Sequence, residues 1–443
     1  MSSGESPEAA SLPLRGVGAL ALARTFRSLR HRDFRLLWFG VLGSLTGYWV
    51  HFVAQGWLVY ELTGSAFLLG VVGAAGSLPS LLFALVGGVL ADRVDRRRLL
   101  IVTRLFYAVL AALLTMLTAT GLITVWQLAV IAFLAGTVLA FDMPTRQALV
   151  PSLVGGEDLP NAVALVGMAF NGTRVIGPAI AGTLLASLGA TWCFALTVVG
   201  HVAMVIMLLL MRSTPPPLRA ARSLGVMRSL GEAFAYIWRT PRILGTLTIA
   251  TVVSLFGMPY VTFLPIFAEE YLGVGAPGLG MLVTATGIGA TASLLTLATA
   301  REVRHRGKLT LYGAGAFGLL VVAFALSRSF WLALILLALV GAMTSASFSS
   351  AATVLQGEVP DALRGRVMSV YILTWGLVPL GQLGLGALAE QTGVAVAVAL
   401  GGLVCAVLAV VIWWRVPSLR REVVPVQPSS VRISSKEPQQ RVP

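Results

Sequence analysis

Charge is what this chain has least of. Of its 443 residues only 11% are Asp, Glu, Lys or Arg, against about 25% in soluble domains. So small a share cannot clothe a water-soluble surface. There are two cysteines, Cys193 and Cys405, both inside apolar runs. They form neither a disulfide framework nor the spaced set of a metal site. Four histidines are too scattered for a metal cluster. No glycine-rich loop of the Walker type is present, which excludes ATP as a direct energy source. No extramembrane domain interrupts the apolar runs, which disfavours a receptor or scaffold. No re-entrant filter segment marks a channel. The start of the chain lacks a secretory signal: Gly16 to Ala23 is apolar but far short of the roughly 20 residues of a spanning helix.

What is present is hydrophobic. Apolar residues make up 57% of the chain and the mean hydropathy is +0.87. Twelve runs reach spanning length. They lie near 36–60, 66–91, 98–120, 125–147, 161–188, 191–211, 243–267, 278–300, 309–327, 330–356, 367–389 and 394–414. The fold class is therefore an all-α polytopic membrane protein. The net charge of +14 is parcelled into short loops, which argues against nucleic-acid binding.

The loop charges orient the chain. With both termini in the cytoplasm, cytoplasmic loops hold Arg93, Arg96, Arg97, Arg98, Arg146, Arg239, Arg242, Arg304, Arg306, Lys308, Arg364 and Arg366. The other side holds Glu61, Glu269, Glu270 and Glu390, with Arg328 as its one basic residue. This is the positive-inside pattern. Residues 1–35 read as a cytoplasmic tail and lead-in segment, with Arg24, Arg27, Arg30 and Arg32 at the lipid headgroups. Residues 36–211 form a first six-helix bundle and 243–414 a second. The linker 212–242 opens with Pro215-Pro216-Pro217, which stops the sixth helix. Leu224, Met227, Leu230, Phe234 and Ile237 then recur at helical spacing, as in an amphipathic surface helix. Residues 415–443, rich in Pro, Ser and Gln, read as a disordered cytoplasmic tail. The fifth and eleventh runs both end with two glycines seven positions apart, Gly182 and Gly189, then Gly386 and Gly393. That echo fits two six-span pseudo-repeats.

Between the second and third runs stands Gly88-Val-Leu-Ala-Asp92-Arg93-Val-Asp95-Arg96-Arg97-Arg98. It resembles the signature loop of the major facilitator superfamily, with Asp95 where Gly is usual. Further stretches are similar to one branch, the bacterial exporters related to the enterobactin exporter and to drug efflux proteins. They are Phe34-Arg35-x-Leu-Trp38, Trp57-Leu-Val-Tyr60-x-Leu-Thr63-Gly64-Ser65, Phe141-Asp142-x-Pro144-x-Arg146-Gln147, Asn171-x-x-Arg174-x-x-Gly177-Pro178 and Arg364-Gly365-Arg366-Val-Met-Ser369. The resemblance implies a secondary active exporter of a small amphipathic molecule, drug- or siderophore-like. It would exchange substrate for protons by alternating access, as a monomer in the bacterial inner membrane, with no cofactor and no catalysis. An importer or a lysophospholipid flippase of the same fold is the alternative.

The resemblance also implies a gate. Gly88, Asp92, Arg93, Arg96 and Arg97 form its loop. Asp142 would pair with Arg96, and Asp92 would face the start of the eleventh span near Arg366. The plainer alternative is that Asp92 and Arg96 only set topology. Ionisable groups inside spans are costly and face the interior. In the first half these are His51, Arg104, Asp142, Arg174 and His201. Arg174 either meets an anionic substrate group, modulates a proton site or pairs structurally with Asp142; Asn171 lies one turn before it. Gly177-Pro178 marks a helix kink. Tyr48, His51 and Gln55 share one face of the first span. His51 either couples protons or is a satisfied hydrogen-bonding group. His201 has no polar neighbour at helical spacing. Gln382 is the main buried polar group of the second half. Gly40, Gly43 and Gly47 have the spacing of a close helix contact.

Overall fold

The computed structural model describes residues 25–212, 226–299 and 305–420, without the side chains at 84, 85, 88, 89, 91, 92 and 226–230. The terminal tails beyond these limits, the triple-proline segment and most of the basic turn before Arg306 therefore lie outside the described residues. So do the side chains of Gly88 and Asp92.

Among the described residues, twelve helices are long and apolar enough to cross a bilayer. They are Arg32–Thr63, Ala66–Arg93, Arg96–Ala119, Val125–Leu153, Leu159–Leu188, Ala190–Leu210, Pro241–Tyr271, Gly275–Thr299, Arg306–Leu326, Phe330–Glu358, Asp361–Thr392 and Val394–Arg415. We number them as spans 1 to 12. Their order matches the twelve apolar runs. Several ends lie beyond those runs, because the helix continues past its apolar stretch to a polar cap. The side chain of Ser65 accepts from Leu68 N and starts span 2. Thr124 and Gln127 close a capping box at span 4. At the signature turn, Asp95 accepts from Arg98 N at 3.1 Å and caps span 3. Its φ of −60° needs no glycine, so an Asp at this place makes the turn as tight as required.

Two spans are not regular. Span 7 passes through a π-turn at Val253–Gly257, a 3-10 stretch at Met258–Phe263 and a second π-turn at Phe267–Tyr271. Pro259 and Pro265 each remove a helical N–H, and the ladder re-registers around them. Span 11 is interrupted at Gly376, before Pro379.

Packing divides the spans by sequence. Span 1 lies on span 6, span 2 on span 4, and span 3 on both spans 4 and 6; spans 8 and 10, 9 and 12, and 9 and 10 pack likewise. The glycines of span 1 do what their spacing predicts: Gly43 meets Gly200, and Thr197 Oγ1 donates to Gly47 O at 3.0 Å. Spans 5 and 8, and spans 2 and 11, join the first six spans to the last six. Two of these crossings are backbone on backbone. A Cβ on Gly280 would stand 2.6 Å from Pro178 O, and one on Gly70 would stand 2.4 Å from Gln382 O.

One face of the molecule carries the Arg-rich turns, and is here called the basic face. Among the described residues, the hydrogen bonds joining the first six spans to the last six lie at mid-depth or toward the opposite face. Tyr60 donates to Glu270 (3.2 Å). Glu390 accepts from Ser65 Oγ and Phe67 N (both 3.1 Å). Ser77 donates to Gln382 (2.8 Å), and Thr284 donates to Val175 O (3.1 Å). Glu390 thus reaches across to cap span 2, where free amides favour an anion.

The connecting helix spans Val226–Arg239. It buries Ala233 and Ile237 and pairs Glu232 with Arg366 of span 11, while Phe234 stays exposed.

Candidate functional site

A polar chain crosses the interior of the first six spans. It begins at Asp142 on span 4, which is ion-paired with Arg104 on span 3; each side chain is only 2% exposed. Arg104 Nη1 lies 3.3 Å from His201 Nε2 on span 6. His201 Nδ1 lies 3.0 Å from Thr197 O. A carbonyl only accepts, so Nδ1 carries the imidazole proton and Nε2 accepts from Arg104. The ring of His201 stacks on Tyr107, 4.1 Å apart and 5° from parallel. Tyr107 meets His51 of span 1 edge to face at 5.8 Å. His51 Nε2 lies 2.8 Å from Gln55 Oε1.

Gln55 is where this chain reaches open space. With Phe52, Gly56, Gly73, Thr262 and Pro265 it lines a mostly apolar pocket between the first and last six spans. Gln382 braces the wall, accepting from Ser77 and donating to Thr262 Oγ1 at 2.9 Å. His51 sits behind Gln55 and is 5% exposed. His51 Nδ1 and Asp142 Oδ1 are both buried without a hydrogen-bond partner. An open imidazole nitrogen and an open carboxylate oxygen can each take a proton without a hydrogen bond being broken first.

The expected Asp142–Arg96 pair is not formed. Arg96 Nη1 donates to Ala148 O at 3.1 Å. Ala148 lies six residues farther along span 4, about 9 Å down the helix axis from Asp142. Asp142 points inward and takes Arg104 instead. Arg97 donates to Leu208 O (2.8 Å) and Leu209 O (3.0 Å), satisfying the last carbonyls of span 6. Arg93 is exposed. Asp92, expected beside Arg366, lies outside the described side chains, and Arg366 holds Glu232.

Arg174 does not pair with Asp142 either. Its guanidinium lies over Trp49, 5.9 Å from the ring centroid. Tyr48 packs edge to face on the same indole, makes no hydrogen bond to His51 or Gln55, and lies within electrostatic reach of Tyr107. Asn171 bonds back to Gly167 O at 2.9 Å and joins nothing across the helices. Gly177 lets span 5 press on Trp49, and Pro178 stands within one continuous helix.

Sequence reasoning underrated three residues. Arg104 and His201 were noticed as ionisable but not placed in a site, because their partners come from other spans. Asp158, at the start of span 5, was missed. It is 1% exposed and held at 2.7 Å by each of Arg27, Arg30 and His31. Ser28 adds a bond to Asp158 O (2.9 Å). Arg27 and Arg30, expected at lipid headgroups, turn onto this carboxylate instead, since a buried acid needs them more than solvated headgroups do. The sole signal was the acidic pair Glu157-Asp158 before a helix start.

Twelve spanning helices, a pocket between two groups of six, and a buried polar chain reaching that pocket define a multi-pass membrane transporter. The sequence profile of the transmembrane secretion effector family matches residues 23–437, and the chain belongs to that family, within the major facilitator superfamily. It is 28% identical over 368 residues to the multidrug efflux pump Tap of Mycolicibacterium fortuitum, covering 81% of this chain and 89% of that protein. It is 26% identical to the staphyloferrin A transporter of Staphylococcus aureus, covering 79% and 87%. It is 28% identical to the enterobactin exporter EntS of Citrobacter koseri, covering 72% and 73%. Among solved structures, a POT family transporter superposes with a TM-score of 0.72 at 12% identity, covering 88% of this chain and 97% of that one. The nucleoside transporter NupG, as its D323A mutant, gives 0.69 at 14%, covering 87% and 99%. These two likenesses support the fold.

Proposed function

We propose that this protein is a proton-coupled exporter of a small amphipathic molecule, drug- or siderophore-like. It acts as a monomer in the bacterial inner membrane with both termini in the cytoplasm. The basic face is then the cytoplasmic face, by the positive-inside rule. Two six-helix bundles, 36–211 and 243–414, rock about the pocket between them. In this reading the conformation is closed toward the outside, where Glu390 and Glu270 clasp the first bundle, and substrate enters from the cytoplasm or inner leaflet. Outward opening must break the Tyr60–Glu270 and Glu390 contacts and rebuild contacts on the cytoplasmic side. There the signature loop of Gly88, Asp92, Arg93, Arg96 and Arg97 meets the start of span 11 near Arg366.

The observation that carries the coupling is the buried chain from Asp142 through Arg104, His201, Tyr107 and His51 to Gln55. A proton from outside reaches the pocket and is accepted at His51 Nδ1 or Asp142 Oδ1. Adding it at Asp142 cancels the carboxylate and releases Arg104. Adding it at His51 places a cation beside the pocket. Either change alters the packing of spans 1, 3, 4 and 6 that the rocking must carry. The export direction rests on the similarity to efflux and siderophore proteins.

The test is efflux of a fluorescent amphipathic cation and of an iron-chelating catecholate from cells expressing the chain, with and without a proton uncoupler. Uncoupler-sensitive export of either supports the reading. Accumulation in place of depletion would favour an importer and sink it.

A further inference from the structure

We propose that Arg174 and Trp49 form the seat for the anionic end of an aromatic substrate. Arg174 lies midway along span 5, Leu159–Leu188, at the depth where a charge is most expensive. It stays ionised, since guanidinium does not lose its proton in proteins. Among the described residues no carboxylate pairs with it and no carbonyl accepts from it; its neighbours are the face of Trp49 and, within electrostatic reach, the phenol of Tyr260 on span 7. Asp142, the carboxylate that could have neutralised it, is spent on Arg104. Five guanidinium N–H donors thus stand in a membrane interior without an acceptor.

The neighbouring donor is idle too. Trp49 Nε1 is buried with no hydrogen-bond partner. Two donor groups, one of them cationic, neither hydrogen-bonded to a described residue, call for a ligand that brings both negative charge and acceptor oxygens. The walls say what the rest of the ligand is. Trp49 is ringed edge to face by Tyr48, Phe52 and Phe170, at 5.5, 5.9 and 6.3 Å. Phe52 continues into the pocket beside Gln55. These surfaces suit a flat aromatic body. The position is also at the joint: Arg174 O lies against Gly287 of span 8. A ligand on Arg174 therefore sits where the first and last six spans meet, and its charge bears on both.

The substrate class is an amphipathic aromatic anion: an aryl carboxylate, a catecholate or a close analogue. This deepens the transport reading and rests on it for its biological role, but the test is one of binding and stands apart from transport.

The full-length protein, in nanodiscs, is titrated calorimetrically with three probes of one shape: 2-naphthoate, neutral 2-naphthamide and cationic 2-naphthylmethylammonium. The expected result is that naphthoate binds about tenfold or more tightly than naphthamide, the size of a hydrogen bond to a charged group. The ammonium probe is weakest. R174Q removes the preference for the anion, and R174K keeps part of it, with charge but no fork. W49F weakens all three probes and keeps their order. Equal binding of naphthoate and naphthamide to the unaltered protein overturns the proposal without any variant. So does an anion preference that survives R174Q. Uncoupler-sensitive export with equal probe binding would refute this inference alone. Absence of transport with a tenfold anion preference would refute the transport reading alone.

Discussion

Removing the carboxylate of Asp142 isolates Arg104 in the interior of the first six spans. Asp142 and Arg104 are each 2% exposed, so solvent does not screen what is left behind. His201 Nε2 is then the one remaining acceptor on the guanidinium. Breaking a buried pair from one side costs about 3–5 kcal/mol, because the surviving charge is uncompensated. D142N should therefore lower unfolding stability by about that amount, and R104Q should do the same with the sign of the stranded charge reversed. Replacing both residues by Leu removes the charges together. Such doubly apolar replacements are often neutral or stabilising, so the double variant should recover most of the loss, the remainder being buried Arg146, which also faces Asp142. A cycle closed with D142L and R104L as the single changes should then show non-additivity of about 3 kcal/mol or more, at the upper end of measured couplings. The assay is denaturant unfolding of the four proteins in one detergent, followed by circular dichroism. Additive losses, or a D142N protein as stable as the unaltered one, would refute the claim that this pair is a dry, mutually dependent ion pair. Proton-driven transport should be lost in D142N and in the double variant alike, although the double variant is stable. That separation divides function from folding.

Other consequences follow from single contacts. E390Q removes the carboxylate that caps span 2 from span 11; an anion at a helix N-terminus is worth up to about 1 kcal/mol. The equilibrium should move about fivefold toward opening on that face, read as faster labelling of a cysteine placed at Thr262; unchanged labelling counts against the clasp. G70V sets a side chain against Gln382 O and should block closure on the same face, at about 1–3 kcal/mol of strain. The same labelling assay should report a permanently open face, and a closed one would contradict the geometry. D158A frees Arg30 and His31 together and leaves Arg27 only the exposed Glu157. Those partners are partly exposed, so solvent screens the loss and keeps it small. Limited trypsin digestion should then cut at Arg27 and Arg30 in the folded protein, and an unchanged digestion pattern would count against the clamp.

The number and order of the spans were legible because a bilayer demands long apolar runs, and such runs are plain in a sequence. Their ends were less legible. Helix continues from apolar core to polar cap, so span 1 begins at Arg32 and span 11 at Asp361, where hydropathy has already fallen. The irregular course of span 7 was not foreseen, though Pro259 and Pro265 stood in its run. Close packing of Gly43 on Gly200 followed from small-residue spacing. The polar chain did not, for a geometric reason. Local spacing reports neighbours along one helix, and found His51 with Gln55. Asp142–Arg104, Arg104–His201 and His201–Tyr107 each join different spans. A motif comparison placed Asp142 against the signature loop; the true partner lies deeper, on span 3. His201 was set aside for want of a neighbour on its own helix, and its neighbours proved to be Arg104 and Tyr107 from another.

The central claim is that a proton taken up by this buried chain drives substrate outward. It is tested most directly with purified protein in proteoliposomes, imposing a proton gradient and following the exported compound and internal pH together. The account predicts that substrate moves against its own gradient while protons move the opposite way. It also predicts that D142N and H51Q lose gradient-driven accumulation yet still exchange substrate down its gradient. Accumulation that persists unchanged in both variants, or substrate movement with no accompanying proton flux, would contradict it.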